Sequence, residues 1–413
     1  GKGSHLLKIV RTNPDNYIRN IQIIPEEHLE AHQQGEIFNP DWIERVESFQ
    51  ALRFMNWMKT NNSRQEFWEQ RPKIGDRSWA IDGGIPLEVM LELANRLGVD
   101  PWFNIPHLAD LNYVREFATL VETKLDRDLN IYLEHSNEVW NWQFEQAKHA
   151  GVSGQARWGE RGDAYMQWHG MRTAQICDVF KEEVFDSKPQ RVKCILGVHP
   201  HWHGLEEGAL NCPLWVAEGN EACYLHGFDY VGITTYFNGG LNGPRKANDD
   251  FADIHTSILK SWLREPDGGM SKAFEQLADG RHLRSIEKYA DYQGIEAELR
   301  ERLEYWQATA ENYGMGMVAY EGGQHITANG HVLRDNEAIV DFHIAVSRNP
   351  RMRDMYATML DLWQEYGGGL HVHFVDVAAP TKHGSWGALE HLEQETSPKW
   401  EALMEFNREL SQQ

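Results

Sequence analysis

Short apolar runs alternate with amphipathic helical patterns along almost the whole chain, and this alternation limits the fold more than any other feature. Residues 17–25 (YIRNIQIIP), 51–58 (ALRFMNWM), 102–106, 130–134, 192–198 (VKCILGV), 229–235 (DYVGITT), 317–320 and 369–377 (GLHVHFVDV) each read as a strand. Helical patterns stand between them: 39–49 with Asn39 as cap and Pro40 in the first turn, 86–97 stopped by Gly98, 113–124, 295–312, 336–346 and 352–366. Eight strands joined by helices favour a parallel (β/α)8 TIM barrel over an open doubly wound sheet. No G-x-G-x-x-G turn follows an early strand, which argues further against a dinucleotide fold. The longest gap, 237–314, carries helical pieces and reads as a long helical insertion between strands six and seven, forming one wall of a cleft. The expected organisation is 1–16 as an N-terminal extension or vector remnant, because GKGSH opens the chain, and 17–413 as one catalytic barrel. The first strand is the weakest of the eight. If 17–25 belongs to a separate β-rich module, the true first barrel strand is missing or comes from another piece.

Bulk properties exclude several partners. With 62 acidic against 40 basic residues the net charge is −22, which disfavours nucleic acid and anionic lipid. No apolar run approaches the roughly 18 residues of a membrane span, and GKGSHLL has no signal-peptide core. Four cysteines are too few for a disulfide scaffold. Cys212 and Cys223 flank a short loop where a bridge is sterically easy and would imply an oxidising compartment; that pairing stays open at this level. Cys177 and Cys194 are expected as buried thiols. The 16 tryptophans offer flat apolar faces of the kind that stack on sugar rings, although most belong to a core.

Chemistry concentrates at two strand ends. Residues 131–141, IYLEHSNEVWN, pass from a strand into a polar, aromatic segment with the pair Asn137–Glu138. Residues 317–325, MVAYEGGQH, end another strand at Glu321, followed by two glycines. In a parallel barrel both ends open on the face where barrel enzymes place their chemistry. Taken singly, Glu138 could be a salt-bridged glutamate near a helix start and Glu321 a turn residue. Together, at the fourth and seventh strands of the count above, they point to a carboxylate pair.

SNEVWN after one strand and YEGG after a later one resemble the two signatures of the clan A retaining glycoside hydrolases, in which glutamates end the fourth and seventh barrel strands. The resemblance implies Glu138 as acid/base and Glu321 as nucleophile, with carboxyl groups about 5–5.5 Å apart. It implies that Asn137 donates to the sugar 2-hydroxyl, that Arg53 holds the nucleophile ionised, and that Tyr236 hydrogen-bonds it. The alternatives are a barrel-internal salt bridge for Arg53 and an ordinary core aromatic for Tyr236. His107, His199 and His201 are expected to line the pocket, and Trp57, Trp202 and Trp386 are candidate sugar platforms against the alternative of core tryptophans. Many clan members end the eighth strand in a tryptophan, where this chain has HVHFVD; Trp386 in GSWGAL is the candidate replacement.

The expected function is therefore a secreted or periplasmic retaining β-glycoside hydrolase acting on a polysaccharide or oligosaccharide, without cofactor or metal; no oligomeric state is read from the sequence. Two rivals stand beside it. HPHWH and HVH put imidazoles at strand ends, where alternate residues point the same way and could ligate zinc. A catalytically inactive glycan-binding barrel is the second, since fold does not guarantee activity.

Overall fold

Parallel strands buried on both faces need crossover helices, which the amphipathic segments supply. The computed structural model describes residues 7–19, 21–80, 83–243, 250–328 and 333–412. It divides into two compact units, Gly1–Glu47 and Ser48–Gln413. In the first, a short helix α1 (Leu29–Gln33) and a helix α2 (Pro40–Val46) follow an extended stretch. Asn39 caps α2 by accepting from the Asp41 N–H at 2.9 Å.

The second unit carries seven strands: β1 (Ala51–Arg53), β2 (Asp100–Ile105), β3 (Ile131–His135), β4 (Val192–Gly197), β5 (Phe228–Thr234), β6 (Gly316–Glu321) and β7 (Gly368–His371). They lie in sequence order and every neighbouring pair is parallel, forming a nearly closed α/β barrel. The helices between them are α3 (Leu87–Leu97), α4 (Leu111–Lys124), α5 (Glu145–Trp158), α6 (Ala164–Asp178), α7 (Leu205–Asn211), α8 (Pro213–Val216), α9 (Asp250–Trp262), α10 (Met270–Asp279), α11 (Ile295–Asn312), α12 (Glu337–Arg348) and α13 (Met352–Glu365), with α14 (Pro398–Leu410) after β7. Alternate strand residues face inward. Trp102, Ile195, Val318 and Tyr320 form a buried inner cluster, against which Tyr132, Tyr230, Leu370 and Val372 pack. Residues on the other face meet helices: His135 meets His169 on α6 with ring nitrogens 2.9 Å apart, and Cys194 is disulfide-bonded to Cys177 of α6.

Four expectations change. Residues 17–25 form no strand among the described residues; Tyr17, Ile18, Ile21 and Ile23 are exposed, and apolar periodicity without a pairing neighbour does not make a strand. The count is therefore seven, Glu138 follows β3, and Glu321 ends β6. The run 51–58 is a strand only at Ala51–Arg53, because the Met58 N–H donates to the Phe54 carbonyl at 2.8 Å and turns the chain. The last strand stops at His371 rather than 377. Cys177 and Cys194, expected as thiols, are bonded to each other, and Cys212 pairs with Cys223. Spacing alone hid the first bridge, which joins a helix to a strand across the barrel wall.

Candidate active site

Parallel order brings the C-terminal ends of all seven strands to one face, where Glu138 and Glu321 lie near enough for the charge of one to act on the other. Glu321 is the last residue of β6 and is buried. Its Oε1 accepts from Arg53 Nη1 at 3.0 Å, and its Oε2 accepts from the Tyr236 hydroxyl at 3.0 Å. Arg53, the last residue of β1, has a side chain only 3% exposed. The same guanidinium donates from Nη2 to Asn137 Oδ1 at 2.8 Å, tying the two strand ends together.

The Asn137–Glu138 segment holds an unusual backbone. Ser136 and Glu138 have φ of 59° and 43°, in the left-handed region that side chains disfavour. Such residues cost on the order of 1–3 kcal/mol each and persist where surrounding contacts over-determine them. Here the Ser136 N–H donates to the Ile105 carbonyl at 2.8 Å. Asn137 Nδ2 donates to Asn61 Oδ1 at 3.1 Å, and Gln146 Nε2 donates to the Asn137 carbonyl at 2.8 Å. Glu138 itself accepts from Asn141 Nδ2 at 2.8 Å.

The two carboxyls sit in different electrostatic surroundings. Burial, and then the charge on Glu321, push Glu138 up to about 8. Burial also pushes Glu321 upward, but Arg53 and the Tyr236 hydroxyl oppose that and favour its ionised form. On balance both are raised; Arg53 and Tyr236 favour the charge at Glu321, while burial and the charge of Glu321 favour the proton at Glu138. Burial works against the charge on Arg53, but Glu134 and Glu321 overcome it and raise the guanidinium above its ordinary value. Tyr236 lies well above the usual phenol range through burial and the charge of Glu321, so it stays a neutral donor.

The glycines after Glu321 serve close packing. A Cβ on Gly322 would lie 2.2 Å from Thr235 Oγ1 and 2.6 Å from His371 Nε2, and one on Gly323, whose φ is 123°, would lie 2.7 Å from the Tyr356 hydroxyl. His371 and His373 are thus packing groups: His371 Nε2 lies 2.7 Å from Thr235 Oγ1, and His373 Nδ1 donates to the Val375 carbonyl at 3.1 Å. Among the described residues, no three His, Cys, Asp or Glu side chains converge where a metal could sit.

The remaining sequence candidates divide. Trp386 packs edge-on against Tyr236 with centroids 5.9 Å apart and against His325 at 4.8 Å, which brings it beside the tyrosine that donates to Glu321. Phe374, in the segment HVHFVD, packs on Trp386 at 5.8 Å. His199 packs on Trp140 at 4.4 Å, two residues from Glu138, and receives the His201 N–H at 3.0 Å. Trp202 is 52% exposed, with its ring 6.4 Å from His199. Two candidates are not brought to the carboxylates by any contact described above. His107 packs on His149 at 5.4 Å, where burial lowers it to about 4. Trp57 packs on Phe54 at 5.5 Å, and its carbonyl receives the Ile85 N–H at 2.8 Å.

Glu134, which the sequence offers as the nearest competitor to Glu138 for the acid role, instead accepts from Arg53, Trp102 and Asn104; these contacts, with Asn141 on Glu138 and Asn61 with Gln146 around Asn137, escaped the motif reading. Strand alternation carried part of that signal, because Asn104 and Glu134 are register partners on β2 and β3. No model of a known protein family matches the chain, and neither does any curated protein. Among the described residues no helix is long and apolar enough to cross a membrane.

Proposed function

We propose that this chain is a retaining β-glycoside hydrolase of the clan A type, acting on a polysaccharide or oligosaccharide. The observation that carries the reading is the single guanidinium of Arg53, which links Glu321 to Asn137, the neighbour of Glu138, while burial and the charge of Glu321 favour the protonated form of Glu138. Ionised Glu321 attacks the anomeric carbon as the bond to the leaving oxygen breaks, and Glu138 gives that oxygen its proton. Water then attacks the glycosyl-enzyme ester, Glu138 takes a proton from it, and Glu321 leaves as carboxylate. Asn137 Nδ2, oriented by Asn61, is the donor for the sugar 2-hydroxyl. Trp386 supports the reacting sugar, and Trp140, His199 and Trp202 extend the cleft.

In this reading the barrel is of the eight-stranded class, with a gap between β7 and β1 where the described residues supply no strand. Helices α9 to α11, between β5 and β6, form one wall of the cleft. Two disulfides are the chemistry of oxidising compartments and support a secreted or periplasmic enzyme. The test is a panel of β-glucans, mannans, xylans and algal galactans, with the anomeric configuration of first products followed by NMR. Retention at one substrate is expected, with Glu321→Gln abolishing turnover while sparing ligand binding. An unchanged rate in Glu321→Gln rejects the assignment, and binding without hydrolysis by the wild type favours an inactive glycan-binding barrel.

A further inference from the structure

A third carboxylate lies directly behind this pair and takes no part in the mechanism above. Glu134, on β3, has a side chain 1% exposed, and its Oε2 accepts four donors. They are Arg53 Nη2 at 2.9 Å, Arg53 Nε at 3.2 Å, Trp102 Nε1 at 2.9 Å and Asn104 Nδ2 at 2.8 Å. Gly197 on β4 leaves it room, since a Cβ there would lie 3.1 Å from Glu134 Oε1. A buried arginine already facing Glu321 and Asn137 does not require a second carboxylate for neutrality. What Glu134 adds is a grip on the Nε–Nη2 edge, which fixes the plane of the guanidinium so that Nη1 aims at Glu321.

We propose that Glu134 is a positioning residue that acts through Arg53, dividing the arginine's charge between two carboxylates and thereby setting the ionisation of Glu321 and Glu138. The inference rests on the hydrolase reading for what that ionisation accomplishes, but not for its physical basis. One cation faces two anions, so the buried group of Arg53, Glu134 and Glu321 carries a net negative charge. This keeps Glu321 a basic nucleophile and repels a second charge from Glu138. Without Glu134 the full arginine charge bears on Glu321 alone. Tyr236 on Glu321, Asn141 on Glu138, Asn137 on Arg53 and the rings of Trp102 and Tyr320, 5.5 and 5.2 Å from the guanidinium carbon, are the other groups in contact with this array. The charge of Glu134 acts upward on both catalytic carboxyls, as this arrangement requires.

The test is carboxyl titration by 13C NMR of glutamate-labelled protein, which needs no turnover, with resonances assigned from Glu138→Gln and Glu321→Gln. Glu134→Gln keeps the shape and removes the charge. Both midpoints are expected to fall by roughly one to two pH units, the size of one charge acting across roughly 6–12 Å of protein at effective ε near 20. Glu134→Asp, which keeps the charge, should restore them. Both limbs of the kcat/KM profile should follow the same shifts. Midpoints that stay in place in a folded Glu134→Gln overturn the proposal and leave a purely structural ion pair. If that variant does not fold, the wild-type spectrum decides: Glu134 neutral where the pair titrates overturns the proposal, and Glu134 ionised there upholds it. Loss of the hydrolase reading would appear separately, as absence of retaining cleavage by the wild type.

Discussion

Removing the Tyr236 hydroxyl is the most direct test of how the proposed nucleophile, Glu321, is kept ionised. The hydroxyl donates to Glu321 Oε2 at 3.0 Å inside a buried site, so Tyr236→Phe deletes one hydrogen bond to a charge and leaves the ring in place. Hydrogen bonds to charged groups are worth about 1.5–3 kcal/mol. At 1.36 kcal/mol per pH unit, this corresponds to a rise of about one to two units in the pKa of Glu321. The sign is fixed by the bond: it favours the carboxylate, so its loss favours the acid. In the proposed mechanism Glu321 attacks in its ionised form, and the acid limb of kcat/KM should therefore move toward higher pH by that amount. The basic limb reports Glu138 near 8 and should move less, so the active window narrows from its acid side. The assay is a pH series of initial rates on a substrate from the panel, with circular dichroism to check that the fold is kept. An acid limb that stays put, or moves down, refutes the assignment of Tyr236 as the donor that holds Glu321 charged.

Other outcomes follow from the same geometry. Asn141→Ala removes the donor that favours ionised Glu138, so the basic limb of the rate profile should rise above about 8. The folded-state value of Glu138 is raised from 4.5 to about 8, so the stability of its protonated form is full below pH 4.5 and is lost as pH rises through 8. Glu138→Gln should accordingly melt higher than wild type at pH 9 while losing activity, and an equal or lower Tm there counts against buried protonation. Gly322→Ala would place a methyl 2.2 Å from Thr235 Oγ1, and should cost about 1–3 kcal/mol in urea unfolding. Replacing Cys212 and Cys223 together by serine should cost about 2–4 kcal/mol, read as a fall in Tm.

Helices were the most legible part of the fold. The pattern at 295–312 coincides with α11, and Gly98 stops α3 with φ of 65°, because amphipathic periodicity and a left-handed stop are local properties. Strands were legible where both faces are buried, as at Val192–Gly197, since a continuous apolar run there has no competing reading. They failed where the run had no partner. Residues 17–25 are as apolar and β-branched as a barrel strand, and nothing within nine residues reports whether a neighbour exists to pair with. The carboxylates stood out because each interrupts an apolar strand at its end. The partners of Glu134 did not, because Trp102 and Asn104 are unremarkable on β2 until register sets them beside it. Gly322 and Gly323 looked like a turn, and their reason, the close approach of His371 and Tyr356, comes from residues more than thirty positions downstream.

Among the described residues the ring of strands is not continuous: β1 and β7 end the order without pairing to one another. Each therefore has one row of peptide groups outside the ladder, and each is short, three and four residues. Amide hydrogens on these two strands should exchange with deuterated solvent well before those of β3 and β4, which are laddered on both sides. Arg53 is carried by one of these loosely tethered edges, so the reach of its guanidinium depends on the acids that grasp it more than on its own backbone.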